Sequence, residues 1–128
     1  MVDIPDGYET LSERPRYGHL AAMRPDGCPQ VNPMGFDWDG ELLRFTHTTK
    51  RQKYRNVRAN PHVAMSISDP DNPHRYLEVR GVVEEVVPDP TGAFCLHLND
   101  RYSGPLTGPP PGDKADRVIL VVRPTGHS

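Results

Sequence analysis

Cysteine is almost absent from this chain. Only Cys28 and Cys95 occur in 128 residues, and they stand far apart. That excludes a disulfide-stapled scaffold, and no histidine pair lies at zinc-like spacing from either thiol. No metal site is expected; the default is two reduced thiols in a cytoplasmic protein. No apolar run approaches the ~18 to 20 residues that cross a membrane as a helix. The N-terminus lacks a basic-then-apolar export signal. Net charge is only −2, whereas a nucleic-acid module usually carries a clear basic surplus. No internal repeat and no second domain is visible. The length suits a single domain over 1–128, with 1–13 as an N-terminal extension or short helix. No Ser-His-Asp, Cys-His or paired-carboxylate arrangement stands out, so no catalytic residue is assigned. The strand histidines His19 and His47 read as structural.

Proline is plentiful, at 15 residues, and most of it lies between candidate elements, as loops require. A short helix is expected over Gly7–Glu13. Strands are expected over Arg16–Arg24, Cys28–Phe36, Glu41–His47, His62–Asp69, Arg75–Val87 and Arg117–Val122. The first two form a hairpin around Pro25-Asp-Gly27, and Asp37-Trp-Asp-Gly40 turns into the third. Pro29 and Pro33 cannot donate to a ladder, so the second strand is expected to have an edge or a bulge. Such an edge is either free to bind something or blunted against aggregation; the residues leave both open. Gly81 marks a bend in the long fifth strand. A second helix is expected over Pro90–Tyr102, and Ser103–Asp116 reads as a Gly/Pro loop, a lid or a plain connection. Six strands, two or three short helices and hairpin connections argue a mainly β, antiparallel barrel.

The most informative stretch is Thr46-His-Thr-Thr-Lys-Arg-Gln-Lys-Tyr-Arg-Asn-Val-Arg-Ala-Asn-Pro61. Thr48 and Thr49 stand where helix caps stand, and Pro61 closes the run. Lys50, Arg51, Lys53 and Arg55 crowd the start of the helix, where the macrodipole already favours negative charge. A docked anion would reverse that penalty, making a phosphate site of the helix tip. The residues alone leave the rival reading, a solvated basic face, equally open.

The order and spacing of several pieces resemble the pyridoxamine 5′-phosphate oxidase-like family of flavin and deazaflavin oxidoreductases. The pieces are Gly18-His-Leu-Ala-Ala-Met-Arg-Pro-Asp-Gly27, Pro29-Gln-Val-Asn-Pro33, Trp38-Asp-Gly40, Lys53-Tyr-Arg-Asn56 before Asn60-Pro61, and Arg75-Tyr-Leu-Glu-Val-Arg-Gly81. They look closest to the actinobacterial branch that uses the deazaflavin coenzyme F-420 (8-hydroxy-5-deazaflavin). The resemblance implies a six-stranded split β-barrel of the FMN-binding type, and a homodimer with cofactor at the interface. It implies hydride transfer from reduced cofactor to an unsaturated small molecule, with no membrane or nucleic-acid partner. By the same resemblance, Thr48, Thr49, Arg51 and Lys53 hold the cofactor phosphate. Gln30, Val31, Asn32 and Pro33 lie along the ring system, and Arg55, Arg75 and Tyr76 line the route of an anionic tail. Lys53→Ala is expected to weaken cofactor binding and leave the fold intact. FMN carries the same phosphate, so an FMN-dependent oxidase or reductase is the alternative, and a non-catalytic cofactor-binding protein is another.

Overall fold

The computed structural model describes residues 17–69, 71–103 and 114–127. Its elements are β1 (Tyr17–Met23), β2 (Pro29–Trp38), β3 (Leu43–Thr48), α1 (Gln52–Ala59), β4 (His62–Asp69), β5 (Asn72–Pro88), α2 (Ala93–Ser103) and β6 (Arg117–His127). A single 3-10 turn, Lys114–Asp116, leads into β6. The six strands close into an antiparallel barrel in the order β1-β2-β3-β6-β5-β4. The expected short helix over Gly7–Glu13, and most of the Ser103–Asp116 loop, lie outside the described residues.

Alternation explains the closure. Every second residue faces inward and is apolar: Leu20 and Ala22, Met34 and Phe36, Leu43 and Phe45, Val63, Met65 and Ile67, then Val118, Leu120 and Val122. A barrel of six strands is narrow enough for such side chains to fill it. Phe36 and Phe45 are fully buried, with ring centroids 5.8 Å apart.

Strand boundaries move where side chains cap turns. Asp37-Trp38 was expected to open a turn, yet β2 runs through both, pairing Asp37 with Arg44 and Trp38 with Leu43. The turn tightens onto Asp39, whose carboxylate accepts the backbone N–H of Glu41 at 2.8 Å and of Leu42 at 2.7 Å. Gly40 supplies the positive φ of 96° that follows. Likewise α2 starts at Ala93, not Pro90, because the buried Asp89 carboxylate accepts the Phe94 N–H at 3.1 Å. β6 continues five residues past the expected Val122, since Arg123–His127 pairs with Val79–Val82 in the middle of the long β5.

β2 is where the barrel splits. Its first seven residues pair with β1, from Pro29 opposite Met23 to Gly35 opposite Tyr17. It pairs with β3 only from Phe36 to Trp38, whereas β3 pairs with β6 along its whole length, from Leu43 to Thr48. The expected edge is therefore present over Pro29–Gly35 and ends where the prolines end.

Gly81 sits at a register shift between β5 and β6. A Cβ there would fall 2.7 Å from the Arg123 carbonyl oxygen and 2.7 Å from Val122 Cγ1. The carbonyl belongs to the ladder and cannot swing aside. Gly81→Ala is predicted to destabilise the fold by about 1–3 kcal/mol, the usual cost of overpacking, measured by urea denaturation. An unchanged midpoint would show that the bend tolerates a side chain.

Candidate functional site

The opening between β2 and β3 is roofed by the start of α1. The helix begins three residues later than the two threonine hydroxyls suggest. Arg51 takes the N-cap position with extended backbone, and no side chain caps it. The expected capping role of Thr48 and Thr49 is therefore corrected. Thr48 is buried and its hydroxyl accepts the Lys50 N–H at 3.4 Å, while the Thr49 N–H donates to the Asp116 carbonyl at 3.1 Å. These turn bonds hold the two threonines outside the helix. Lys50 also falls outside it and pairs with Asp116 at 3.2 Å.

Lys53 is the deepest cation, with only 2% of its surface exposed. Its ammonium donates to the Leu20 carbonyl at 2.6 Å and reaches the Gln30 carbonyl at 3.5 Å. Burial pushes its pKa down to about 8, so it is still mainly protonated at neutral pH. Beside it Asn56 is fully buried and accepts from Gln52 Nε2 at 2.8 Å. Arg51 is exposed and, among the described residues, makes no ion pair.

His47 lies on the inward face of β3, continuing the series Leu43, Phe45. It is 6% exposed, and its Nε2 is buried without a hydrogen-bond partner. Burial above all, then the charges of Lys53, Arg51 and Arg117, pushes its pKa down to about 4. The imidazole is neutral at physiological pH. Opposite, Gln30 donates its Nε2 to Asn32 Oδ1 at 3.1 Å, which leaves Gln30 Oε1 buried and also without a partner.

Gln30, Asn32, His47, Arg51, Gln52 and Lys53 enclose a cavity of about 330 Å³. Among the described residues two of its side chains are cationic and none is a carboxylate. Buried polar atoms in native proteins are nearly always paired; among the described residues four are not, and two of them, Gln30 Oε1 and His47 Nε2, belong to side chains that line this cationic cavity, which marks it as a place for a ligand. An anion would suit Arg51 and Lys53, and polar groups on the same molecule would suit Gln30 and His47.

The structure thus brings together four of the residues expected at the site, Gln30, Asn32, Arg51 and Lys53. Val31 and Pro33 alternate to the outer face of β2, where Val31 is 60% exposed. Thr49 opens instead on a neighbouring cavity of about 320 Å³ shared with Tyr54, Arg58 and Arg117. Arg55 is exposed on α1, its guanidinium donating to Gln52 Oε1 at 2.8 Å. Arg75 pairs with Asp69 at 3.3 Å, and Tyr76 is 51% exposed; both belong to β5, separated from β2 by β4 and β1. His47 and Gln52 were not foreseen. The signal for His47 was available: a polar residue ending an inward-facing apolar series at a barrel mouth.

The sequence matches the family model described as pyridoxamine 5′-phosphate oxidase over residues 4–127. The chain belongs to that family. Among solved structures it is similar to an F-420 reductase, with 76% identity over 98% of both chains and a TM-score of 0.93. A conserved hypothetical protein of Mycobacterium tuberculosis shares 25% identity over 97% of this chain and 83% of its own, with a TM-score of 0.74. An FMN-binding, pyridoxamine 5′-phosphate oxidase-related protein of Nostoc punctiforme is 17% identical over 91% of this chain and 73% of its own, with a TM-score of 0.64. At that identity the likeness is one of fold. No curated protein matches the chain.

Two outcomes follow from the buried groups. His47 binds a proton in the unfolded chain at a pKa near 6.5, but in the folded one only at about 4. Unfolding therefore takes up a proton in that window, and stability is predicted to fall by roughly 3 kcal/mol as pH drops from about 6.5 to about 4. Urea midpoints across that range check it; His47→Gln should flatten the slope. Lys53→Ala removes the donor of a buried carbonyl, so a loss of stability is expected alongside weaker cofactor binding. It should lower stability by about 1–3 kcal/mol, read from the same denaturation curves.

Proposed function

We propose that this protein is an F-420-dependent oxidoreductase that reduces an unsaturated small molecule. The observation that carries this is 76% identity to an F-420 reductase across 98% of both chains. The chemistry of the mouth between β2 and β3 supports it. A cofactor phosphate would be held by Arg51, with the buried Lys53 ammonium contributing charge from behind. Gln30 and Asn32, on the free stretch of β2, would flank the rest of the cofactor with hydrogen-bonding side chains. Arg55, exposed on the same helix, would meet an anionic tail. When bound, the deazaflavin supplies the hydride chemistry.

The residues of this chain bind, orient and exclude water. The inward apolar series of β2 and β3 ends at the cavity, so a bound ring system would leave water for a largely apolar wall. FMN would engage the same cations, but its support is a relative of 17% identity, which bears on fold alone.

A homodimer completes the proposal. Val31 is exposed on the outer face of β2, and Ala21 and Ala64 lie beside it in register on β1 and β4. This row of small apolar side chains, next to the split, suits a second copy that would cover the cofactor. The two free thiols, Cys28 exposed and Cys95 buried, suit the reducing cytoplasm.

Arg51 tests the proposal without disturbing the fold, because its side chain is exposed and anchors nothing among the described residues. Arg51→Ala is predicted to weaken binding of oxidised F-420 roughly 10- to 100-fold, the loss of a charge-assisted hydrogen bond. Fluorescence titration measures it, with thermal melting as the control. Equal affinity would remove Arg51 from the cofactor site.

A further inference from the structure

His47 has no role in the proposal above, yet it is a buried side chain of the cavity lining, only 6% exposed. The side chain lines the cavity with Gln30, Asn32, Arg51, Gln52 and Lys53, and its buried Nε2 has no hydrogen-bond partner among the described residues. A neutral imidazole nitrogen is either a donor or an acceptor, depending on which nitrogen carries the proton. A structural histidine would have settled that choice against a carbonyl or a carboxylate. His47 Nε2 has neither.

The charges around it come from every side of the cavity. Lys53 and Arg51 approach from α1 and its cap, and Arg117 from β6, where His47 pairs with the adjacent Val118. From β2 come Gln30 and Asn32, which do not titrate. Among the described residues no carboxylate lines the cavity. In the free protein these three cations and burial keep the imidazole neutral. An anion placed among them cancels part of that field and offers an acceptor to a protonated Nε2.

We infer that His47 is a direct ligand-contacting residue of the anion site, and that it takes up a proton from solvent when the anion binds. This rests on the proposed cofactor reading of the cavity. The step balances simply: one solvent proton moves to the His47 imidazole, which then donates to the anion, and nothing is oxidised or reduced. Linkage fixes the sign. Because the complex holds the extra proton, affinity for the anionic cofactor rises as pH falls, through the interval between the free and the bound pKa of His47. The site binds most tightly in mildly acidic solution and releases the cofactor more readily as pH rises.

The test uses the full chain and oxidised F-420 as probe. Calorimetric titrations in two buffers of different ionisation enthalpy, at about pH 6, count the protons taken up per cofactor bound. Wild type should take up a substantial fraction of a proton and bind several-fold more tightly at about pH 5 than at about pH 7. In His47→Gln the uptake should vanish and the pH dependence should flatten. Any titration of the ring hydroxyl of F-420 is common to both proteins and cancels in the difference. An NMR titration of wild type keeps the test independent of that variant: the His47 midpoint should move up when cofactor is added. Equal uptake in the two proteins, or a His47 midpoint that cofactor leaves unmoved, overturns the inference while leaving the cofactor reading in place. Failure of F-420 to bind at any pH overturns both.

Discussion

One buried hydrogen bond positions the rest of the site: the Lys53 ammonium donating to the Leu20 carbonyl at 2.6 Å. It ties α1 to β1 across the mouth of the barrel and brings the helix over the free stretch of β2, where the Gln30 carbonyl is the next acceptor at 3.5 Å. Arg51 and Gln52 precede Lys53 on the same turn of chain, so anchoring the lysine also places them at the cavity. A lysine buried without a carboxylate is costly, and its lowered pKa expresses that cost. The fold tolerates it because the carbonyl is well placed and the charge stays protonated at neutral pH.

The cavity gathers departures from ordinary core rules. A buried cation, an imidazole kept neutral and two unpaired polar atoms all lie within one small volume. The barrel interior beside it is apolar, with side chains alternating inward along the strands, and outside the cavity lining Asp37 Oδ1 and Asn56 Nδ2 are also buried without partners. Proteins concentrate such local violations where they bind or react, and stability is recovered from the rest of the core. A ligand that neutralises the cations and pairs the orphans would relieve all of these at once, which is why site and ligand chemistry point the same way.

Much of the fold was legible in the residues. The alternating series Val63, Met65, Ile67 announced a strand, and the bend at Gly81 is where the ladder shifts register. What failed was local. Thr48 and Thr49 looked like helix caps because capping is a matter of residue type, but where a helix starts depends on tertiary packing. The depth of Lys53 set that start, and the threonines went to the preceding turn. The end of β2 was misplaced because the Asp39 carboxylate chose the turn. At the site, family resemblance brought Gln30, Asn32, Arg51 and Lys53 into view. His47 stayed hidden because only closure of the barrel, with Lys53 and Arg117 converging on one side chain, makes it more than another strand histidine. Val31 and Pro33 show the opposite limit: a continuous motif cannot line one pocket when alternate residues of a strand face opposite ways.

The most direct test of the central claim is a pair of fluorescence titrations of the purified protein at physiological salt, one with oxidised F-420 and one with FMN. Tight binding of the deazaflavin, well ahead of FMN, is the predicted result. A preference for FMN would contradict the F-420 assignment and make the cationic mouth a flavin site. Binding of neither would mean that the cavity beneath α1 serves some other anion.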